Sequence, residues 1–311
     1  MFFLETVISG LTAGVMYALV ALGFVLIFKA SGVFNFAQGV MALFAGLTLV
    51  GLMEKFAFPP WAAIIGTIGV MVILAVLIER LILRHLVNQE HIILFMSTLG
   101  LAYVLEGAGD IMWGSDVKVL DIGLPQGASD WLLDSYNLYV EKIEIVAAVT
   151  GGILVAVLAV FFQKTRIGRA LRAVADDHQA ALSVGISLRT IWIVVWSVAG
   201  VVALVAGVMW GSKSGIQFSL SLIALKALPV LILGGFESIP GAIVGGLIIG
   251  VGEKIAEVYG GDLIVLAVGG FVDVNANMFK AVENWFAYML ALVFLLFRPQ
   301  GLFGEKIIER V

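Results

Sequence analysis

Apolar residues along this chain do not alternate with polar ones; they run in long blocks. Nine blocks stand out: 7–28, 33–53, 61–83, 92–112, 143–162, 190–211, 221–236, 241–258 and 284–298. A helix rises 1.5 Å per residue, so about 20 apolar residues cross a hydrocarbon layer of ~30 Å. The pattern predicts an all-α polytopic membrane protein with eight or nine transmembrane helices in a single domain, 1–311. Two blocks are weaker. Block 33–53 opens on polar Asn35 and Gln38, and 221–236 is short, holds Lys226 and Pro229, and ends in Gly234-Gly235. Both are candidates for broken or re-entrant helices, which lipid permits only where protein lines a cavity. The stretch 260–283, with an apolar run after Asp262 too short to span, is expected to be interfacial or re-entrant.

Glycine spacing adds detail. Gly241, Gly245, Gly246 and Gly250 form a small-residue face, and Gly10 and Gly14 another; both predict close helix packing. Gly32 to Gly39 encloses Phe34-Asn35, and Gly234 to Gly241 encloses Phe236-Glu237 at the same spacing, the outline of an internal repeat.

Composition agrees with the block pattern. Hydrophobic residues make up 61% of the chain and charged residues 13%, against about 25% charged in globular proteins. The absence of cysteine excludes disulfides and thiolate metal sites and leaves the compartment open. The first apolar block lacks a basic n-region and a cleavage site, so it is expected to be a retained helix.

Charge orients the blocks. Lys and Arg are retained on the cytoplasmic side. Arg80, Arg84, Arg166, Arg169, Arg172, Arg189, Arg298 and Arg310 can all lie inside if each of the nine blocks crosses, with an external N-terminus and a cytoplasmic C-terminus. The segment 114–142, with Asp116, Asp121, Asp130, Asp134 and Glu141, is then external. The basic stretch 163–189 is an internal loop. From Arg169 its apolar positions, Leu171, Val174, Ala175, His178, Ala181 and Leu182, follow helical spacing. They predict one amphipathic helix of about four turns ending at Gly185. Its alanine-rich stripe lacks the Trp or Phe anchors of a lipid-binding helix and suits a protein groove.

Catalytic and nucleotide-binding motifs are missing. The chain has no GxxxxGK[ST] phosphate loop, HExxH or GxSxG, and its three histidines are scattered. Nothing in it points to an enzyme, to a metal or cofactor held by this chain, or to nucleic acid. Polar groups within the blocks are the candidates for a solute path: Asn35, Gln38, Ser97, Thr98, Glu106 and Lys226. Glu106 and Asp110 share a helical face near an external end. Lys226 is expected to snorkel, to pair with an acid such as Glu106 or Asp110, or to attract an anionic solute.

Several stretches resemble one family. Gly14-Val-Met-Tyr17-Ala18-Leu19-Val-Ala21-Leu-Gly23 and Gly32-Val-Phe-Asn35-Phe36-Ala37-Gln38-Gly39 resemble the opening of branched-chain amino-acid ABC transporter permeases. Thr165-Arg166-Ile-Gly168-Arg169-Ala170-Leu-Arg172-Ala173 resembles the start of their coupling loop, and Gln179-Ala180-Ala181-Leu-Ser-Val-Gly185 their EAAxxxG signature. Lys226-Ala227 through Leu233-Gly234-Gly235-Phe-Glu-Ser238-Ile239-Pro240-Gly241-Ala242 resembles their late glycine-rich segment, and Phe297-Arg298-Pro299-Gln300-Gly301-Leu302-Phe303-Gly304 their C-terminus. Gln179 replaces the signature glutamate, the usual Ile-x-Leu-Pro is missing, Glu237 stands where a small residue is expected, and 260–283 is longer than usual.

The resemblance implies one permease subunit of an importer in the bacterial inner membrane. A periplasmic binding protein would deliver the solute, and a second permease, identical or related, would complete the pore. Two cytoplasmic ATPases would hold ATP and Mg. Arg166, Arg169, Arg172, Gln179, Ala180, Ala181 and Gly185 would then couple to an ATPase and drive alternating access. Branched-chain or other small amino acids are the implied solutes; urea, amides, aromatic acids and sugars are alternatives. A stand-alone channel or secondary transporter is the rival class. Because the chain has no cysteine, topology is directly testable. Ser129→Cys should react with an impermeant maleimide from outside and Ser183→Cys only from inside; the reverse pattern overturns the orientation.

Overall fold

The computed structural model describes residues 2–86, 89–176, 178–268 and 282–304; side chains at 91, 176, 178, 179, 262–268 and 282–284 are outside that description. The described residues are helical, apart from turns, the non-helical stretch 114–129 and two isolated β-bridges. In chain order the helices are α1 (Phe2–Ser31), α2 (Gln38–Phe56), α3 (Pro60–Leu81), α4 (His91–Trp113), α5 (Asp130–Tyr136) and α6 (Lys142–Lys164). Then come α7 (Arg166–Asp176), α8 (His178–Ser183), α9 (Leu188–Ser214), α10 (Ile223–Gly234), α11 (Ile239–Val268) and α12 (Val282–Phe297). Seven described helices are long and apolar enough to cross a membrane, and Phe218–Gly234 and Trp285–Phe297 are shorter apolar helices. Each of the nine apolar blocks therefore carries a helix, as the pattern predicts for a polytopic membrane protein.

Two boundaries differ from the sequence reading. The second block becomes helical only at Gln38, which leaves Asn35 in the preceding turn. Residues 260–268 continue α11 without a break and form no separate interfacial element; 269–281 lie outside the described residues. The basic loop is helical over α7 and α8, on either side of residue 177, which lies outside the described residues.

The chain divides into two compact units. One comprises Met1–Ala21, Pro125–Val149 and Leu225–Val311; the other comprises Leu22–Leu124 and Thr150–Ala224.

In the first unit, α1 and α11 meet glycine to glycine. A Cβ on Gly10 would lie 2.7 Å from the Val251 Cα, and one on Gly246 would lie 2.6 Å from the Gly14 carbonyl oxygen. Gly250 faces the backbone of Gly10 and Gly14 in the same way. The two small-residue faces of the sequence thus pack on each other. This matters because lipid tails are as apolar as Leu, so helices associate through close van der Waals packing and not through exclusion of water. Gly245 meets the Val230 carbonyl and Gly241 meets Gly234, which seats α10 against the start of α11. The C-terminal motif closes this corner. Leu302 N–H donates to the Leu233 carbonyl at 2.8 Å and Phe303 N–H to that of Gly234 at 3.1 Å. Gly235 and Gly301 take φ of 101° and 80°, a region open to glycine, and their backbones touch.

The second unit is built around α2 and α9, with α3 and α4 against α2 and with α3 also against α9. Most of α2 is buried. A Cβ on Gly207 would strike the Ala42 carbonyl, and Gly51 lies under the Trp113 ring. Lys55 Nζ sits 5.4 Å from the centre of that ring, a cation–π contact at the end of α2.

The glycine contacts can be tested directly. Gly250→Leu should lower the thermal stability of the detergent-solubilised protein by ~1–3 kcal/mol through overpacking. Gly69→Leu should be silent, since nothing lies within 4 Å of a Cβ there.

Candidate functional site

The first group of path candidates forms a polar knot in the second unit. Helix α1 ends with Gly32 at φ 64°, its N–H donating to the Phe28 carbonyl at 2.7 Å. Asn35 then folds back: its Oδ1 accepts from Ala37 N–H at 3.1 Å, and its Nδ2 donates to Gln38 Oε1 at 3.3 Å. Gln38 Nε2 reaches the Ala199 carbonyl of α9 at 3.4 Å. There is room for Gln38 only because residue 23 is glycine; any Cβ there would overlap its amide. Thr98 of α4 closes the turn, accepting from Phe36 N–H at 3.2 Å and donating to the Phe34 carbonyl at 3.1 Å. Phe34 stacks on Phe24 at 4.9 Å. Asn35, Gln38 and Thr98 are each no more than 1% exposed. Their polar atoms hold the chain's own backbone, so they brace the turn between α1 and α2. Ser97 is half-buried and bonded to the Leu94 carbonyl within its own helix. Glu106 is half-buried and Asp110 exposed.

The basic loop begins with a tight clamp. Thr165 Oγ1 accepts from Gly168 N–H at 3.0 Å and so caps α7 at its third residue. Gly168 presses on the backbone of Phe161 and Phe162 at the end of α6, where a Cβ would not fit. Arg172 donates to the Phe162 carbonyl. Leu171, Val174 and Ala181 are buried, and α7 packs on α9 and α8. Of the expected stripe, Leu171, Val174 and Ala181 are thus turned into the protein, and Leu182 is 52% exposed. The exposed residues of the loop include Arg166, Arg169, Ala180, Leu182, Ser183 and Val184. Gly185 ends α8 as expected, with φ 84° and Ile186 N–H donating to the Ala181 carbonyl at 3.0 Å. Gln179 belongs to α8, and its side chain lies outside the described residues. Arg189, just beyond, lies 3.5 Å from Glu79, a carboxylate only 2% exposed, and so ties the start of α9 to α3.

The third group lies in the first unit. Lys226, in the first turn of α10, donates to Glu253 Oε1 of α11 at 2.8 Å. The Tyr17 hydroxyl of α1 is 3.5 Å from Nζ, and the Tyr17 ring centre is 5.8 Å away. Lys226 thus pairs with an acid, Glu253. Glu253 is absent from the sequence candidates although it sits inside the neighbouring apolar block. Consecutive elements are usually adjacent in space, and that rule points to it. Glu79, Glu144 and Glu253 are buried carboxylates beyond the two acids weighed from sequence. Glu144 accepts from the Thr12 hydroxyl at 3.1 Å.

Helix α10 also carries Pro229 in its interior. Proline has no N–H, so the carbonyl four residues earlier, that of Leu225, loses its helical donor. The Tyr288 hydroxyl of α12 supplies one, donating to the Leu225 carbonyl at 2.6 Å. A backbone weakness next to Lys226 is therefore repaired from another helix. Outside the membrane segments, Lys142 hydrogen-bonds Asp130 at 2.8 Å, and this bond, with the lysine charge, holds the carboxyl below its ordinary range.

Among the described residues no group of three or more metal-ligating side chains occurs. The Tyr288 bond makes a two-step test. Tyr288→Phe should destabilise the protein by ~1–3 kcal/mol, the cost of an unsatisfied polar group. In a Pro229→Ala background the same change should cost little, because an alanine N–H restores the helical donor. Equal losses in both backgrounds would show that the bond is incidental.

Comparison with known proteins matches the whole chain. A family model described as "Branched-chain amino acid transport system / permease component" matches residues 6–298. The chain is 30% identical to the high-affinity branched-chain amino acid transport system permease protein BraD of Pseudomonas aeruginosa, over 99% of this chain and 98% of that one. It is 26% identical to the corresponding permease protein LivH of Escherichia coli, over 100% and 98%. A solved structure, "PsaBC from Streptococcus pneumoniae in complex with Fab", shares the fold with a TM-score of 0.50 and 16% identity, covering 97% of this chain and 94% of that one. A helical membrane chain that matches the family model and these relatives along its length belongs to the family of branched-chain amino acid transport system permease components.

Proposed function

We propose that this chain is one permease subunit of an ATP-driven importer that carries branched-chain or other small amino acids across the inner membrane by alternating access. The observation that carries this reading is the end-to-end similarity to BraD, which leaves no large segment of either chain unmatched. ATP and Mg would be held by two cytoplasmic ATPases, solute would arrive on a periplasmic binding protein, and a second permease, identical or related, would complete the pore. The N-terminus is external and the C-terminus cytoplasmic in this reading.

The α7–α8 loop is the proposed docking element for an ATPase. Its exposed residues include cationic Arg166 and Arg169 at the head of α7 and apolar Leu182 and Val184 at and just beyond the end of α8, the latter 75% exposed. Cationic and apolar groups of this kind suit a partner surface that is acidic in part and apolar in part. Ala181 supports this end of α8 from behind and Gly185 turns the chain away from it.

Two measurements test this reading. ATP-driven leucine uptake should appear in proteoliposomes that hold the chain with its partner subunits and a loaded binding protein; uptake without ATPases would favour a channel or secondary carrier. Leu182→Glu with Val184→Glu should weaken ATPase capture in a pull-down by roughly tenfold, ~1.4 kcal/mol, while leaving thermal stability unchanged. Undiminished capture would remove these two residues from the contact.

A further inference from the structure

The Lys226–Glu253–Tyr17 cluster is costly for a purely structural element. A charge within the hydrocarbon region costs several kcal/mol, and such residues persist there chiefly where they serve a pathway. An ion pair is a poor way to hold helices together, since desolvation cancels most of its attraction and apolar replacements often hold as well. The glycine contacts of α1, α10 and α11 already supply that adhesion.

The pair is also lopsided. The Glu253 side chain is 3% exposed and the Lys226 side chain 33%. The carboxylate is sealed among helices, and part of the Lys226 side chain is exposed. Tyr17 lies beside the same ammonium and limits where it can swing. Lys226 stands on the first turn of α10, next to the Leu225 carbonyl that Pro229 leaves without a helical donor. The Tyr288 hydroxyl supplies that donor, so the backbone that carries Lys226 is held in place.

We infer that Lys226 is a solute-binding residue that takes the carboxylate of a small amino acid or organic acid, with Glu253 and Tyr17 as its positioning residues. An ammonium held ready by a buried counter-ion can share its donors with an incoming carboxylate without first being desolvated. Urea, simple amides and sugars have no group that would gain from it. This inference rests on the permease reading above and narrows it to solutes bearing a carboxylate.

The decisive variant exchanges the charges, Lys226→Glu with Glu253→Lys. It preserves an ion pair, so a structural role predicts near-normal function. It puts an anion where the cation was exposed, so a carboxylate site is destroyed. In proteoliposomes with the full importer, leucine as the probe and ATP inside, the exchange should reduce uptake at least about tenfold while the variant still co-purifies with its ATPases. Lys226→Arg should retain a third or more of wild-type uptake. If the exchanged protein does not assemble, Lys226→Met with Glu253→Gln removes both charges together and should show the same loss. Wild-type uptake in either double variant overturns the inference. ATP-driven uptake of urea or a sugar, with none of leucine, leaves the permease reading standing and overturns this one. No ATP-driven uptake of any of them overturns both.

Discussion

In lipid, a helix gains nothing by hiding apolar surface, so whatever holds the helices must come from contact itself. The α1–α11 crossing meets that condition most plainly. Gly10 and Gly14 face Gly246 and Gly250, and the backbones come close enough that a single added carbon on any of them would collide. Dispersion falls steeply with distance, so removing side chains from a crossing strengthens it. The same logic repeats at Gly234 and Gly241, at Gly207 against Ala42, and at Gly51 beneath Trp113. Without the approaches that join α1 and α10 to α11, Tyr17, Lys226 and Glu253 would not be brought within hydrogen-bonding range.

Irregular backbone within the helical layers follows a second constraint, that its polar groups need partners in the protein. The Asn35–Gln38–Thr98 knot satisfies a turn that crosses no water, and the Tyr288 hydroxyl replaces the donor that Pro229 removes. Both are repairs to irregular backbone. Lys226 differs in kind, since no backbone group requires a charge there. That contrast separates polar residues that finish the fold from one that has a further use.

Much of this architecture is legible in the amino-acid order. The nine apolar blocks become nine helical segments because length and hydropathy are what the bilayer selects. The facing glycine motifs are visible as spacing, and Gly185 as a helix stop. Hydropathy misplaces the start of α2 because apolar Val33, Phe34 and Phe36 continue the block, whereas the Asn35 side chain captures Ala37 N–H and holds the backbone in a turn. The spacing between α6 and α9 suggests one amphipathic helix looking outward. Periodicity reports that a face is apolar but not what covers it, and here Leu171, Val174 and Ala181 are buried within the protein. Glu253 escapes sequence reasoning for a related cause: one acidic residue in a long apolar block does not alter its hydropathy, and its meaning depends on a lysine 27 positions away.

The clamp at the head of α7 has a mechanical consequence. Gly168 is wedged against the end of α6, Thr165 fixes the first turn, Arg172 grips the Phe162 carbonyl, and Leu171 and Val174 are buried. A segment restrained at so many points has no slack. A load applied to α7 would not be absorbed by bending between α6 and α7; it would arrive at α6 as displacement. The joint is built as a stiff crank, and the glycine that looks like its most flexible point is the one that locks it.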